Sequence, residues 1–588
     1  MKAMRDVPNS APRHLGELFF QRVEELGERT FIKLQRRDRF EEISWKDFGS
    51  KVRETMLGLY SVGLRKGERV AILSENRIEW LCADIATLAG GLPNVVISPR
   101  LSEGMILKLL SHSGARAVFV EDEVGVGRIL NLKGQLPALS RIISMDRIGL
   151  PLPHSLSFDE LLLRGRREGG KQIHEIVEWV HPDDLATIMY TSGSTGEPKG
   201  VMRTQRNIIS NIASGTGISL GKPDDLVVLV LSLNHLLGRY GFHKSLATGR
   251  ATAVVEATEQ EVDLETIQAL SPTSMSLVSR VIERIWETIL SEEGNRRHWE
   301  TIEVLEHVKA GKGYLSPEEA RKYDELKISL REAVKRSLGG RIKYISYGGA
   351  PMMPRIMHFF EVIGVPLIGG YGTTECGGVS LCGIGENQPG NLGRPFANVE
   401  VRIADDGELL VRGPMVTPGY FHNPEATREV LDPDGWFHTG DLGAIDPDGS
   451  LRIVGRKKDL FYCADGSNIY PGYIELLLEN DPFIRQAVLL GDHRPFIAAL
   501  LVPELSRISA ELKEEKASLT DGEVERTLWS RVERINAKLE DPEKIRKIVV
   551  LEKDFPEKVR SVTAFQKIKI DRKAVEDLYR DEIDRIYR

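Results

Sequence analysis

The sequence predicts an α/β protein of more than one domain, built largely on parallel sheet. The chain has 588 residues, which is too long for one compact core. Apolar residues recur at helical spacing over 48–60, and Val70–Leu73 follows as a short buried strand. Helical and strand patterns go on alternating through the first half of the chain, as expected of layered α/β architecture.

Each later segment has its own pattern. An apolar helix is predicted over 78–88, and a further buried strand at Ala117–Val120. Residues 283–340 are charged and helical, with a break at 311–317. We interpret them as a helical excursion on the surface, followed by a strand at 342–345.

The sequence pattern changes near residue 395, where short strands separated by turn residues begin and continue to 455. A smaller α/β unit follows to the C-terminus. The charged turn 455–459, Gly-Arg-Lys-Lys-Asp, gives the predicted boundary between a large domain, 1–456, and a small one, 457–588.

Composition excludes several classes of protein. The 79 basic and 86 acidic residues give a net charge of −7 without a long basic run, so nucleic acid is not an expected partner. The four cysteines are scattered and lack metal-ligand spacing, which favours a reducing, cytoplasmic location. No stretch is long and apolar enough to cross a membrane, although composition leaves open peripheral membrane contact and a homodimer.

The strongest local signal is the run 190–200, Tyr-Thr-Ser-Gly-Ser-Thr-Gly-Glu-Pro-Lys-Gly. It follows an apolar strand at 185–189 and precedes a helical stretch near Asn207. Small residues let the backbone wrap closely around an anion, hydroxyls and amides donate to phosphate oxygens, and Lys199 adds positive charge. Because Pro198 stands directly before the lysine, the run is not a P-loop. It predicts a phosphate-binding loop.

Four more blocks follow in order: Gly-Gly-Ala-Pro at 348–351, Tyr-Gly-Thr-Thr-Glu at 371–375, Gly-Trp-Phe-His-Thr-Gly-Asp at 435–441, and the charged turn 455–459. With these blocks the chain resembles the adenylate-forming superfamily of acyl-CoA synthetases, adenylation domains and luciferases. The resemblance implies two parallel-rich sheets and a small β-barrel in the large domain, and a mobile small domain that acts as a lid. It also implies ATP, Mg²⁺, a carboxylic acid and coenzyme A (CoA) as partners.

The resemblance assigns roles to residues that suit them chemically. Tyr371 offers an aromatic face to adenine, Asp441 accepts hydrogen bonds from ribose hydroxyls, and Glu375 with Thr191 provides oxygen ligands for Mg²⁺. His235 matches an active-site position beside the substrate carboxylate, although a histidine satisfied within the core is the alternative. The complete set predicted to contact the nucleotide is Thr191, Ser192, Gly193, Ser194, Thr195, Gly196, Lys199, Gly349, Ala350, Pro351, Tyr371, Gly372, Thr373, Thr374, Asp441, Arg456 and Lys458.

The segment 563–569, Thr-Ala-Phe-Gln-Lys-Ile-Lys, resembles the loop that carries the adenylation lysine of the superfamily. On that resemblance Lys567 offsets the charge that builds up when a carboxylate attacks the α-phosphate of ATP. Lys569 is the alternative, because an alternating Lys-Ile-Lys strand presents either side chain. The small domain is then expected to rotate about Lys458 and admit the CoA thiol.

Several segments, among them the helical excursion, resemble the long-chain fatty acid branch. Four departures separate this chain from that pattern. Gln205 stands where many relatives have His, and Arg239 where some have a gating Trp. Residues 561–565, before the lysine, read Ser-Val-Thr-Ala-Phe, and residues 462–468 read Tyr-Cys-Ala-Asp-Gly-Ser-Asn. Two alternatives therefore stay open. One is transfer of the acyl group to a carrier protein rather than to CoA, and the other is a shorter, aromatic or polar-ended acid.

Overall fold

The computed structural model describes residues 12–36, 39–149, 153–169, 173–192, 197–216, 222, 224–255, 264–349, 352–386, 390–464, 467–512, 518–556, 560–562, 568–570 and 572–588. The helices are α1 (Leu15–Leu26), α2 (Trp45–Ser61), α3 (Ile78–Ala89), α4 (Glu103–Ser113), α5 (Glu123–Leu132), α6 (Phe158–Glu168), α7 (Ile173–Glu178), α8 (Gln205–Thr216), α9 (Leu236–Ala247), α10 (Leu264–Leu270), α11 (Ser279–Ser291), α12 (Glu293–Lys312), α13 (Pro317–Ser337), α14 (Pro354–Ile363), α15 (Pro424–Val430), α16 (Pro471–Glu479), α17 (Leu505–Leu512), α18 (Asp521–Asn536), α19 (Arg572–Leu578) and α20 (Arg580–Tyr587).

The strands are β1 (Thr30–Arg36), β2 (Arg39–Ser44), β3 (Val70–Leu73), β4 (Asn94–Ile97), β5 (Ala117–Val120), β6 (Arg141–Ser144), β7 (Ser155–Ser157), β8 (Leu185–Ser192), β9 (Pro198–Thr204), β10 (Leu226–Leu229), β11 (Ala251–Val254), β12 (Ser274–Leu277), β13 (Tyr344–Tyr347), β14 (Leu367–Thr373), β15 (Gly377–Leu381), β16 (Arg394–Pro395), β17 (Glu400–Ile403), β18 (Glu408–Arg412), β19 (Phe437–Ile445), β20 (Leu451–Arg456), β21 (Phe461–Tyr462), β22 (Asn468–Ile469), β23 (Ile484–Leu490), β24 (Ile497–Pro503), β25 (Ile545–Val550), β26 (Arg560–Val562) and β27 (Ile568–Ile570).

Two large sheets, both mostly parallel, form the body of the chain. Among the described residues, one sheet has seven strands in the order β7-β6-β5-β3-β4-β8-β9, and only β8 and β9 pair antiparallel. The other has nine, in the order β16-β15-β14-β13-β12-β10-β11-β1-β2. Its interior, from β14 to β1, is parallel, and both edges are antiparallel. The strands β3, β4, β5 and β10 are buried along their whole length, as expected of parallel strands covered on both faces.

The antiparallel sheet β17-β18-β19-β20 is a half-barrel and corresponds to the small β-barrel that the resemblance implies. Beyond it, β23, β24 and β25 form a separate sheet with α16 and α18 packed nearby. Two hydrophobic clusters of this region draw their buried residues from 461–586 alone. The predicted α/β fold, with a large N-terminal part and a smaller C-terminal part, is confirmed.

The predicted elements are confirmed closely where the hydrophobic period is strong. The strands β3 and β5 have the predicted bounds, and the apolar helix at 78–88 is α3. The helical excursion consists of α11, α12 and α13. Its predicted break is the α12–α13 turn, where Gly313 ends one helix in a left-handed conformation and Ser316 caps the next. The strand expected at 342–345 lies two residues later, as β13. No helix in the described ranges is sufficiently long and apolar to cross a membrane.

Candidate active site

The hydroxyl-rich run 190–200 is a β-hairpin. Thr191 and Ser192 end β8, and they pair with Lys199 and Pro198 of the antiparallel strand β9. The sequence pattern predicts the helix near Asn207 directly after this run, and the strand β9 between them was not predicted. Pro198 does not exclude a strand here, because a proline, which lacks an amide hydrogen, is tolerated at the first residue of an edge strand. The predicted residues Gly193, Ser194, Thr195 and Gly196 lie outside the described residues.

The segment 417–421 covers the outer edge of β9, the last strand of the seven-stranded sheet. The amide of Phe421 donates to the carbonyl of Gly200 at 2.7 Å, and that of Met202 donates to the carbonyl of Gly419 at 3.1 Å. This contact brings Tyr420 under Lys199, whose Nζ lies 5.1 Å from the centre of the tyrosine ring. Lys199 also lies 4.0 Å from a carboxylate oxygen of Glu429. Tyr420 and Glu429 thereby position the side chain of Lys199.

The block 371–375 forms the end of β14 and the tight turn into β15. A Cβ atom added to Gly372 would lie 2.2 Å from the carbonyl oxygen of Gly377, so the strands approach closely only because this position is glycine. The hydroxyl of Thr373 accepts a 3.2 Å hydrogen bond from the amide of Cys376. The carbonyl of Thr374 accepts one of 2.9 Å from Arg203. These bonds fix the turn that carries Glu375.

Glu375 is half-buried, and the segment 417–421 holds it from two sides. Its carbonyl accepts from the amide of Thr417 at 2.7 Å, and its Oε1 accepts from the hydroxyl of Tyr420 at 3.1 Å. Burial and the neighbouring carboxylate raise the pKa of Tyr420, so the phenol keeps its proton and stays a donor. Tyr420 therefore links Glu375 with Lys199. Tyr420 was not predicted from the sequence, because its partners are remote in the chain.

The residues present fit a magnesium ion that arrives with a nucleotide. Among the described residues no group of three or more His, Cys, Asp or Glu side chains is arranged to hold a metal. Magnesium is usually bound by one or two protein oxygens, with substrate phosphates and water as the remaining ligands. Glu375 presents a carboxylate of this kind, and Glu375 and Thr191 are the two predicted ligands.

Asp441 connects the half-barrel with the end of β14. Its Oδ2 accepts a 2.5 Å hydrogen bond from the hydroxyl of Tyr371, and its Oδ1 lies 2.7 Å from Nε of Arg456 on the paired strand β20. Burial, together with the charge of Asp441, raises the pKa of Tyr371 well above its ordinary value. Three residues predicted to contact the nucleotide, from three separate sequence blocks, thus meet at one point.

Gly349 lies beside the same edge of the large sheet. It follows β13, which is parallel to β14, so both strands end at one edge, where ligands of open α/β sheets bind. Gly349 is exposed and has φ of +85°, a left-handed conformation that glycine adopts without strain. The predicted partners Ala350 and Pro351 lie outside the described residues.

His235 precedes α9 directly and lines a surface pocket together with Tyr190, Ser232 and Glu75. The structure thus brings the histidine close to strand β8 of the hairpin β8–β9. Lys458 is exposed in a single 3₁₀ turn, Lys457–Asp459, directly after β20. Lys567 lies outside the described residues, which include the strands on either side, β26 and β27.

Arg203 is a second residue that the sequence analysis missed. It is 1% exposed and reaches from β9 to the carbonyl of Thr374. A signal was present, because alternation along β9 puts Arg203 on the same face as the buried Val201. Burying the charge of an arginine costs free energy unless its guanidinium forms hydrogen bonds or an ion pair.

The comparisons with known proteins agree with this geometry. The family model "AMP-binding enzyme" matches residues 19–421, and "AMP-binding enzyme C-terminal domain" matches 458–588. The chain belongs to the AMP-binding enzyme family. It is an adenylate-forming acyl-CoA ligase, and this family uses ATP, a carboxylic acid and CoA as substrates.

Curated relatives of this AMP-binding enzyme are similar over most of their length. It is 31% identical to the long-chain-fatty-acid–CoA ligase FadD15 of Mycobacterium bovis, across 93% of this chain and 92% of the relative. It is 29% identical to fatty acyl-CoA synthetase A of Dictyostelium discoideum, across 96% and 88%. The first relative shares about three residues in ten with this chain, which shows the common enzyme class.

Solved structures of this family share the fold. The anthranilate CoA ligase AuaEII, in complex with anthranoyl-AMP, superposes with a TM-score of 0.72 at 18% identity, covering 98% of this chain and all of the other. The apo structure of MatB from Rhodopseudomonas palustris gives 0.68 at 20% identity, with the same coverage. At such identities the likeness concerns the fold alone.

Proposed function

We propose that this enzyme is an AMP-forming fatty acid–CoA ligase of the long-chain type. The observation that carries the proposal is the meeting of Tyr371, Asp441 and Arg456 at the end of β14, where Tyr371 precedes Glu375 by four residues. Such an arrangement provides a ribose acceptor and a magnesium ligand for one nucleotide. The names of the relatives, long-chain-fatty-acid–CoA ligase and fatty acyl-CoA synthetase, support the choice of acid.

The proposed reaction has two halves. The substrate carboxylate attacks the α-phosphate of ATP, the bond to the β-phosphate breaks, and acyl-AMP and pyrophosphate form. Magnesium bound through Glu375 and Thr191 would neutralise phosphate charge. The thiol of CoA then attacks the acyl carbonyl and AMP leaves. In the first half Tyr371 faces adenine, Asp441 accepts from the ribose, and Lys199 with the hairpin binds the phosphates.

The remaining roles belong to the same proposal. Lys567 offsets the charge of the first transition state, and His235 lies beside the reacting carboxylate. The domain boundary is at 456/457, and the small domain rotates about Lys458 between the two halves. Supporting this division, the C-terminal core clusters use only residues from 461 onwards. A reducing, cytoplasmic location is supported by four cysteines that are all buried and free. The proposal also includes two interactions of the protein: peripheral contact with a membrane surface, and association with a second copy of the chain as a homodimer.

The test is an assay of the purified protein with ATP, magnesium, palmitic acid and CoA. We expect AMP and palmitoyl-CoA in equal amounts, measured by a coupled AMP assay and by mass spectrometry. Acyl-AMP formation without consumption of CoA would assign the enzyme to carrier-protein loading instead. A protein that releases no AMP with any acid, short, long or aromatic, would contradict the proposal.

A further inference from the structure

The helical excursion α11–α13 is in contact with the small domain. Nη2 of Arg507, on α17, donates to Oε2 of Glu303, on α12, at 3.3 Å. The two residues are 204 positions apart, and each side chain is about one-third exposed. The excursion therefore pairs with a charge of the small domain.

A second arginine faces the small domain from α14. Arg355 is in the first turn of this helix, and its guanidinium lies 5.3 Å from the centre of the Trp286 ring on α11. Burial lowers the pKa of Arg355, and the carboxylate that opposes this effect most is Glu479, on α16. Glu504, directly before α17, acts in the same sense. Each domain thus contributes an arginine that faces carboxylates of the other.

Carboxylates outnumber arginines at this contact. Besides Glu479 and Glu504, the residues Glu283 and Glu287 of α11 also act on Arg355. Nε of Arg355 is buried and has no hydrogen-bond partner among the described residues. Carboxylates that are brought together repel one another, and more strongly where water is partly excluded. A proton bound by any of them removes one like charge from the contact.

Glu479 is the carboxylate best suited to take up that proton. Its pKa is raised from 4.5 to about 7, chiefly by burial and also by the charges of Glu475 and Glu283. Arg355 and a 3.1 Å hydrogen bond from the amide of Ala487 oppose this rise. The carboxyl therefore binds a proton in a pH range where an exposed glutamate has lost it.

Two carboxylates of the excursion behave in the same way. Burial is the largest cause that raises the pKa of Glu283, and it is also the largest cause for Glu303. The other charged groups that act on these two carboxylates are Glu287, Arg355 and Arg280 at Glu283, and Arg507, Glu300 and His358 at Glu303. Separation of the two domains would return part of this buried surface to water, and the affinity of the carboxylates for protons would then fall.

We propose that Arg355 and Arg507, with the carboxylates Glu303, Glu479 and Glu504, form a latch that holds the small domain on the helical excursion, and that proton uptake strengthens this latch. The docked form binds more protons than the undocked form between pH 4.5 and about 7, so docking weakens as pH rises through that window. The inference rests on the proposed function in one respect, because the small domain must leave this position when it rotates between the two half-reactions.

The position of the small domain can be measured without substrates. The four native cysteines are buried, so dyes attached to Lys322→Cys on α13 and Lys538→Cys after α18 report the separation of the two domains by single-molecule energy transfer. We expect the ratio of docked to undocked molecules to fall between pH 6 and pH 7, by at most about tenfold, as the release of one proton requires. Glu479→Gln should flatten this profile, whereas the exposed control Glu525→Gln should not.

Charge reversal tests the ion pair itself. Glu303→Arg and Arg507→Glu should each lower the docked-to-undocked ratio about threefold to tenfold, because like charges then face each other. The double variant Glu303→Arg/Arg507→Glu should restore the ratio. Arg526→Glu, an exposed reversal on α18, is the matched control and should leave it unchanged. The single variants should also change the ratio of pyrophosphate exchange to thioester formation from supplied acyl-AMP, and the double variant should return it towards the native value.

The outcomes separate this inference from the proposed function. A docked fraction that is constant from pH 6 to pH 7, or a double reversal that restores nothing, would overturn the latch. A Glu479→Gln variant that changes the pH dependence of Tm but not that of docking would show that its carboxyl titrates within the small domain alone. If the docked fraction responds as expected while no acid yields AMP, the latch stands and the proposed function is wrong.

Discussion

The hydroxyl of Tyr371 donates a 2.5 Å hydrogen bond to Oδ2 of Asp441, and this bond joins the nine-stranded sheet to the half-barrel. Both oxygens of the carboxylate are thereby engaged, since Oδ1 lies 2.7 Å from Arg456. A ribose that binds Asp441 must share this carboxylate with Tyr371. On the proposed function, Asp441 would therefore couple the adenine site at Tyr371 to the ribose site.

Asp441→Asn should weaken nucleotide binding strongly, because it removes the charge that orients Arg456 and accepts from the ribose. We expect the KM for ATP to rise about tenfold to a hundredfold. Tyr371→Phe keeps the aromatic face and leaves Asp441 charged, so it serves as the matched control with a change of about threefold or less. Titration of AMP by calorimetry provides a second readout. Equal losses in the two variants would show that the hydrogen bond matters more than the carboxylate.

Glu375→Gln should lower the rate of ATP–pyrophosphate exchange about a hundredfold or more, because an amide is a poor magnesium ligand. Tyr420→Phe should cost less, about threefold to tenfold, since it removes only one hydrogen bond to that carboxylate. Glu425→Gln, an exposed carboxylate on α15, is the control. The magnesium concentration that gives half-maximal exchange should rise only in Glu375→Gln. An unchanged concentration in that variant would contradict a metal role for Glu375.

Lys567→Ala should remove adenylation much more than thioester formation from supplied acyl-AMP, because the lysine charge is needed only in the first half-reaction. The two halves are measured separately by pyrophosphate exchange and by release of AMP from synthetic acyl-AMP and CoA. Lys569→Ala is the matched control from the same segment. Equal loss in both halves would reject the assignment of Lys567.

Asp84→Asn should destabilise the fold by about 3–5 kcal/mol, because it leaves the buried Arg239 without its counter-ion. Burial alone would raise the pKa of Asp84, but Arg239 and His243 outweigh burial and hold this pKa below its usual value. The double variant Asp84→Asn/Arg239→Met should recover part of the loss. Denaturant unfolding measures both, and a single variant as stable as the native protein would show that Asp84 does not stabilise Arg239.

Glu479 makes stability depend on pH. Burial raises its pKa from 4.5 to about 7, despite a 3.1 Å hydrogen bond from the amide of Ala487. Between these two values the folded state binds more protons than the unfolded state. The contribution of Glu479 to stability therefore falls as pH rises through that window, by at most about 1.4 kcal/mol per pH unit.

Glu479→Gln should flatten this dependence, which is measured as Tm in buffers that span the window. The exposed Glu525 on α18 is the control, and Glu525→Gln should leave the pH profile unchanged. A Glu479→Gln profile that superposes on the native one would show that the carboxyl titrates normally.

Strongly periodic segments were predictable because their burial follows from local spacing. Val70–Leu73 and Ala117–Val120 are apolar at every position, and only a strand covered on both faces suits such runs. Pro198–Thr204 was missed, since a proline, a glycine and an arginine obscure the alternation of an edge strand. The strand Tyr344–Tyr347 begins two residues after its predicted start, because its boundaries depend on pairing with the two neighbouring strands.

The sequence by itself determined the family, the motifs predicted to bind the nucleotide, and the order of the elements. All three depend on residue types at short spacing. Only the tertiary structure decided that Tyr420 binds Glu375, that Asp84 neutralises Arg239, and that Arg203 donates to the carbonyl of Thr374. Those contacts join residues between 45 and 171 positions apart. Sheet packing brings such residues together, and no local pattern records which distant charges will meet.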